Sequence, residues 1–281
     1  MNSHTLQKLA AFTSKPTGGN PAGVWIGETL PEPSEMQRIA AEVGFSETAF
    51  IAPSKGKKRT VRYYSPETEV PFCGHATIAT GVALGQKSGS GTYQFETTIG
   101  NIPVEVSEHN GEIRAALTSV EPKFELASDT LIKEALCALD WSLDDLDSNI
   151  PPARAYGGNW HLVLAVKSKQ RLDDLRYDFD KLKKIMLDDN LTTLQLIWRE
   201  NDALIHSRNP FPVGGVIEDA ATGAAAVALG GYLRESKIIN APMDINIIQG
   251  EIMGRPSQLN LSIPKLGGIK VSGTAVQLSD E

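Results

Sequence analysis

Two segments, one in each half of the chain, constrain the fold more than any other feature. Residues 69–84 read Glu-Val-Pro-Phe-Cys-Gly-His-Ala-Thr-Ile-Ala-Thr-Gly-Val-Ala-Leu, and residues 218–233 read Glu-Asp-Ala-Ala-Thr-Gly-Ala-Ala-Ala-Val-Ala-Leu-Gly-Gly-Tyr-Leu. With Gly74 laid on Gly223, each has an acidic residue, a tight turn, and then a run of small and aliphatic residues. Such a run predicts a helix without a polar face, which must be surrounded by protein. A helix that starts at a glycine turn leaves the N–H groups of its first turn without intrahelical partners, and its dipole favours negative charge at that end. Two such starts in one chain predict a site for a small anionic molecule.

Short runs with strand character flank both segments. In the first half they fall at 6–12, 22–26, 45–52, 59–65, 92–98, 102–107 and 113–118, with a helix at 34–43 stopped by Gly44 and a hairpin signal at Asn110-Gly111. In the second half they fall at 160–166, 193–200, 203–207, 245–249, 258–263 and 269–276, with helices at 131–139 and within 173–188. Each half runs strands, buried helix, strands. A duplicated α+β domain with a cleft between the halves is the simplest expectation. The expected domains are 1–119 and 120–272, with 273–281 as a candidate return to the first.

The chain has 281 residues and a net charge of −7, with no basic stripe of the kind nucleic-acid binders carry. Two cysteines cannot build a disulfide framework, the first residues lack an apolar run, and no stretch approaches the roughly 20 apolar residues of a membrane span. A cytoplasmic protein that binds neither nucleic acid nor membrane is expected. Nucleotide-binding glycine loops, a Gly-x-Ser-x-Gly elbow, His-Glu-x-x-His and paired Cys-x-x-Cys are all missing from the sequence, and its five histidines are scattered. No cofactor and no metal are expected.

Several residues could carry chemistry. Alternation over 45–52 puts Phe45, Glu47, Ala49 and Ile51 on one strand face, which reads as a central strand with Glu47 buried. A carboxyl group there suits a proton shuttle, while an exposed or ion-paired glutamate is the plain alternative. His75 follows Gly74 in the first turn of the apolar helix, where it could exchange a proton with a ligand or merely cap and pack. Asp219 holds, ahead of the second helix, the place Val70 holds ahead of the first; capping alone would explain it. Asn20 lies in a Gly-Gly-Asn-Pro turn, a place that selects asparagine without any function. Asn159 and His161 could reach a ligand or serve the turn beside them. Cys73, next to a helix start, could be a reactive thiolate. A two-cysteine racemase would need a second thiol at the matching place, which holds Thr222.

These stretches together resemble the phenazine-biosynthesis PhzF-like family, which shares the diaminopimelate epimerase fold. The matching runs are Ala11-Phe-Thr13, Gly19-Asn-Pro-Ala-Gly-Val24, Ser46-Glu-Thr-Ala-Phe50, Tyr64 through Thr77, and Glu218-Asp-Ala-Ala-Thr-Gly223. The resemblance implies two similar domains, each a mostly antiparallel sheet wrapped around a central hydrophobic helix, with the active site between them. It also implies a homodimer and cofactor-independent isomerase chemistry by proton transfer on a small carboxylate-bearing substrate. Glu47 matches the family's acid/base, with His75 and Asp219 as polar groups that assist it. Asn20, Cys73, Gly74, Thr222, Gly223 and Ala224 fall where substrate is contacted. The chain departs from the family pattern at Ala10, Ala220 and Ala224, where the family usually has Asp, Pro and Ser. Two alternatives follow: an altered member that only binds a small molecule, and an amino-acid racemase or epimerase that uses Cys73.

Overall fold

The computed structural model describes residues 4–279. Contacts divide the chain into two compact units, Met1–Thr118 with Ser272–Glu281, and Ser119–Val271. Residues 1–3 and 280–281, which the expected domain spans include, lie outside the described residues.

In the first unit the strands are β1 (Thr5–Ala11), β2 (Asn20–Ile26), β3 (Thr48–Pro53), β4 (Lys58–Tyr64), β5 (Glu69–Val70), β6 (Gly91–Thr97), β7 (Gly100–His109) and β8 (Glu112–Thr118). Two helices interrupt them, α1 (Pro33–Val43) and α2 (Gly74–Ser88). β1 pairs antiparallel with β2, β2 parallel with β3, β3 antiparallel with β4, β4 parallel with β6, and β6 antiparallel with β7. β8 continues the meander, joined to β7 by a turn in which Asn110 and Gly111 both have positive φ. That is the hairpin the Asn-Gly pair announces. α1 starts with proline at its first turn and stops at Gly44, which is left-handed at φ 71°. Its buried face, Met36 and Ala40, covers Trp25, Phe50 and Tyr64.

α2 occupies the interior of this unit. Every residue from His75 to Gly85 is buried, which is what an all-apolar helix requires. Its glycines let the sheet approach. A Cβ on Gly81 would stand 2.6 Å from Ala115 Cβ, and one on Gly85 would stand 2.6 Å from Ile113 Cγ2. The two threonines inside the helix are satisfied locally. Thr77 Oγ1 donates to Cys73 O at 2.6 Å and meets the Tyr63 hydroxyl at 2.6 Å, and Thr80 donates to Ala76 O.

The second unit contains β9 (Lys123–Leu126), α3 (Asp129–Leu139), β10 (Ala153–Tyr156), β11 (Trp160–Ala165), α4 (Lys169–Asp173), α5 (Phe179–Asp188), β12 (Thr193–Asn201), β13 (Leu204–Pro210), β14 (Glu218–Asp219), α6 (Gly223–Glu235), β15 (Met243–Gln249) and β16 (Ser257–Ile263). β10 pairs antiparallel with β11, β11 parallel with β12, β12 antiparallel with β13, β13 parallel with β15, and β15 antiparallel with β16. This is the succession of directions found from β1 to β7, with α6 entering where α2 does. Leu162, Leu164, Leu194 and Leu196 face α3 and α5, while α6 packs against β10, β11, β12 and β16. The chain closes with β17 (Lys270–Gly273) and β18 (Ala275–Gln277), and β18 pairs antiparallel with β1. The parallel pairs make the strand pairing within each unit mixed.

Among the described residues, no helix is long and apolar enough to cross a membrane.

Candidate active site

In the first unit, three side chains with acid–base or ligating capacity meet at the start of α2. Cys73 is the N-cap residue, and its side chain makes no cap bond to the helix. Its thiol instead donates to Glu47 Oε2 at 3.4 Å and lies 3.3 Å from His75 Nδ1. His75 Nε2 is 3.4 Å from Glu47 Oε2 and 3.5 Å from Ser46 Oγ. The cysteine and histidine side chains are buried, and Glu47 is 22% exposed. The carboxylate therefore sits on the rim, with a thiol and an imidazole beneath it.

Local sequence explains the placement. Gly44 ends α1, and residues 45 and 46 bend the chain back before β3 begins at Thr48. Glu47 thus precedes the strand and does not lie within it, which corrects the reading of 45–52 as one central strand with Glu47 buried. The backbone is pinned there, since Gly23 N donates to Glu47 O at 3.1 Å. Cys73 and His75 bracket Gly74, whose position has no heavy atom within 4 Å of an added Cβ. The helix N-terminus is open to approach at that point.

In the second unit, the start of α6 is also made without a side-chain cap from its N-cap residue, Thr222. α1 likewise has no side-chain cap bond from Glu32, whereas α3, α4 and α5 carry cap bonds from Ser128, Ser168 and Asp178. The Thr222 hydroxyl donates to Asp219 Oδ2 at 2.6 Å. Gly223 is buried and Ala224 is half-buried in the same turn. Asn20, 5% exposed, opens β2 opposite Ala11. The structure thus groups Glu47, Cys73 and His75 in one unit, and Asp219 with Thr222 in the other.

One residue that sequence reasoning missed organises the second group. Gln249, at the end of β15 and 1% exposed, accepts from Thr222 N at 3.2 Å, and it donates to Asp219 O at 2.8 Å and Thr222 Oγ1 at 3.0 Å. In the structure the place is marked by Gly250, which follows it at φ 77°. A Cβ there would stand 2.9 Å from Ala220 O, so the β15 end and the 219–222 turn must lie against each other. Ser46 was quoted only as part of a motif, and its contact with His75 is long-range.

His161 is not at a surface of any kind. It is fully buried, 2.8 Å from Thr193 Oγ1, and burial presses its pKa down to about 3, so the ring is neutral. The Glu218 side chain, next to Asp219 in the chain, also has a structural partner, a two-pronged ion pair with Arg208 at 2.5 and 2.8 Å. A cavity of about 470 Å³ lined by Leu175, Tyr177, Phe179, Arg208 and Glu218 lies beside that pair. Asp219 is not among its lining residues.

Comparison with known proteins gives a consistent result. The family description "Phenazine biosynthesis-like protein", PhzC-PhzF, matches residues 9–281. An uncharacterized isomerase of Bacillus subtilis, YfhB, is 33% identical over 96% of this chain and 94% of its own. The trans-2,3-dihydro-3-hydroxyanthranilate isomerase of Pseudomonas fluorescens is 32% identical over 97% of this chain and 96% of its own. A crystal structure of a PhzF-family phenazine biosynthesis protein from Bacillus anthracis superposes with a TM-score of 0.86 at 26% identity, covering 99% of this chain and 98% of that one.

Proposed function

The chain belongs to the PhzC-PhzF family of phenazine biosynthesis-like proteins, and we propose that it is an isomerase that moves a proton on a small carboxylate-bearing substrate. The observation that carries this reading is the Glu47–Cys73–His75 group set at an uncapped helix start. The Glu47 carboxylate takes a proton from a carbon of the substrate and returns it to another, without a cofactor. His75, within reach of the same carboxylate oxygen, exchanges protons with the substrate's polar groups, and the Cys73 thiol holds Glu47 in place by donating to it. The N–H groups in the first turns of α2 and α6 hold the anionic groups, because a helix start without a side-chain cap retains donors for a ligand.

The two units are a duplicated pair, and the residues proposed to contact substrate are Asn20 and Gly74 in the first and Asp219, Thr222, Gly223 and Ala224 in the second. The repeated succession of strand directions supports the duplication. The place of Glu47, one residue before β3, is held in the second unit by Thr192, one residue before β12. There is accordingly a single shuttle, and the second unit supplies the clamp. The protein works in the cytoplasm as a homodimer.

The pairing of Cys73 with Glu47 also disfavours Cys73 as a racemase base. The thiol lies beneath the carboxylate, and Thr222 stands where a second thiol would be needed.

The substrate is a relative of trans-2,3-dihydro-3-hydroxyanthranilate, altered where Ala224 removes a first-turn hydroxyl. Turnover of that compound and of other unsaturated cyclic and open-chain carboxylates, followed by absorbance and NMR, tests the reading. Wild type converts at least one, and Glu47→Gln loses about 10²–10⁴-fold in rate. Conversion by Glu47→Gln within a few-fold of wild type would remove the carboxylate from the reaction.

A further inference from the structure

The first turn of α2 is held from below by two buried hydroxyls for which the proton shuttle has no use. We propose that Thr77, with Tyr63 behind it, is a positioning residue that aims the Gly74 N–H at the anionic group of the substrate. The role rests on the isomerase reading in one respect, that the start of α2 receives a substrate carboxylate.

Proton counting gives the hydroxyl chain a direction. Thr77 Oγ1 donates to Cys73 O at 2.6 Å, which uses its one proton. The Tyr63 hydroxyl lies 2.6 Å from the same Oγ1, so it is the donor between the two. Tyr63 is 1% exposed, and burial pushes its pKa far above the usual range, so the phenol keeps that proton. Thr77 N adds a second bond to Cys73 O, at 3.1 Å. The Cys73 carbonyl thus accepts from both the amide and the hydroxyl of one residue, and the phenol polarises that hydroxyl.

This carbonyl shares a planar peptide with the Gly74 N–H, and in a trans peptide the two point in opposite directions. The oxygen is held along the axis of α2, as the carbonyl of an N-cap residue is. The N–H is therefore turned out of the helix start, where it has no intrahelical acceptor. Two donors on the oxygen also make the N–H opposite it a stronger donor. The approach is open, since a Cβ added to Gly74 meets no heavy atom within 4 Å.

Tyr63 is itself fixed in place. Its backbone lies in β4 between Ala49 of β3 and Val70 of β5, and its ring meets Phe72 edge-on with centroids 5.8 Å apart. One side chain therefore steadies the residue before the Cys73–Gly74 turn and, through Thr77, the turn itself. Thr80 supplies the contrast. It is as buried as Thr77 and donates to Ala76 O at 2.7 Å. The N–H in the peptide it holds belongs to Thr77 and is already bonded to Cys73 O.

Glycine-selective isotope labelling and titration with benzoate, followed by NMR, read the Gly74 amide, whose signal is assigned by its loss in Gly74→Ala. Benzoate should shift that signal in wild type to saturation. Thr77→Val should weaken benzoate about tenfold and Tyr63→Phe about threefold, the scale of one or two lost hydrogen bonds. Thr77→Ser, which keeps the hydroxyl, and Thr80→Val should stay within about twofold of wild type. Tyr63→Phe combined with Thr77→Val leaves neither hydroxyl stranded and should bind as weakly as Thr77→Val, with far-ultraviolet circular dichroism confirming that each variant is folded. A Gly74 signal indifferent to benzoate, a Thr77→Val protein that binds like wild type, or an equal loss in Thr80→Val would overturn the positioning role. The titration reads no turnover, so any of these results alongside turnover that Glu47→Gln abolishes rejects Thr77 and leaves the isomerase standing.

Discussion

Gln249 ties the turn that carries Asp219 to the sheet, and replacing it with leucine keeps most of the volume while deleting every polar contact. The Thr222 amide, buried with its residue, loses its partner, while the Thr222 hydroxyl keeps its bond to Asp219 and Asp219 stays paired with Asn209 in the β13–β14 ladder. A buried polar group left without its partner costs about 1–3 kcal/mol, and Gln249→Leu should be less stable by about that much. For a chain of this size 1 kcal/mol shifts the melting point by about 2–4 °C, so calorimetry should record a fall of roughly 2–12 °C. Ser207→Ala is the control. Ser207 contributes one long contact to Gln249, at 3.4 Å, and its loss should cost under about 1 kcal/mol. A Gln249→Leu protein melting within a degree of wild type would refute the view that this side chain holds the 219–222 turn.

Two further outcomes test the framework around the site. His161, neutral in the fold with a pKa pressed to about 3 from the usual 6.5, refuses a proton that the unfolded chain accepts. Its contribution to stability is therefore intact above about pH 6.5 and is lost as pH falls below that, by up to about 1.4 kcal/mol per pH unit until about pH 3. Urea unfolding at pH 7 and pH 5 should show a shallower loss in His161→Gln than in wild type; equal losses would contradict the assignment. Arg208→Met should cost about 3–5 kcal/mol by stranding the buried Glu218 carboxylate, and adding Glu218→Leu should recover most of it. A double variant as unstable as the single one would show that the pair's packing, not its charge, matters.

The fold was legible where side-chain chemistry is local. α2 and α6 stand out because their residues are apolar all round, and α1 because proline and glycine punctuate it. The short strands β9 and β10 were missed, since four residues at Lys123–Leu126 and Ala153–Tyr156 carry too little alternation to separate from loop. At the candidate site, Glu47, Cys73 and His75 were each singled out, but alternation placed Glu47 inside a strand. Gly44 and the bend after it use up the residues that the pattern assigned to β3. His161 was read as a residue that could reach a ligand, yet register opposite Thr193 buries it completely. Gln249 was invisible because its partners lie 27 and 30 residues away. Its effect depends on where β15 ends relative to a turn, which no local pattern encodes.

The most direct measurement is hydrogen exchange at carbon. A convertible substrate is incubated in deuterated water with wild type and with Glu47→Gln, and deuterium at the reacting carbons is counted by NMR and mass spectrometry. If Glu47 is the shuttle, wild type introduces deuterium at those carbons and Glu47→Gln introduces none above the uncatalysed background. Equal incorporation by the two proteins would contradict the account.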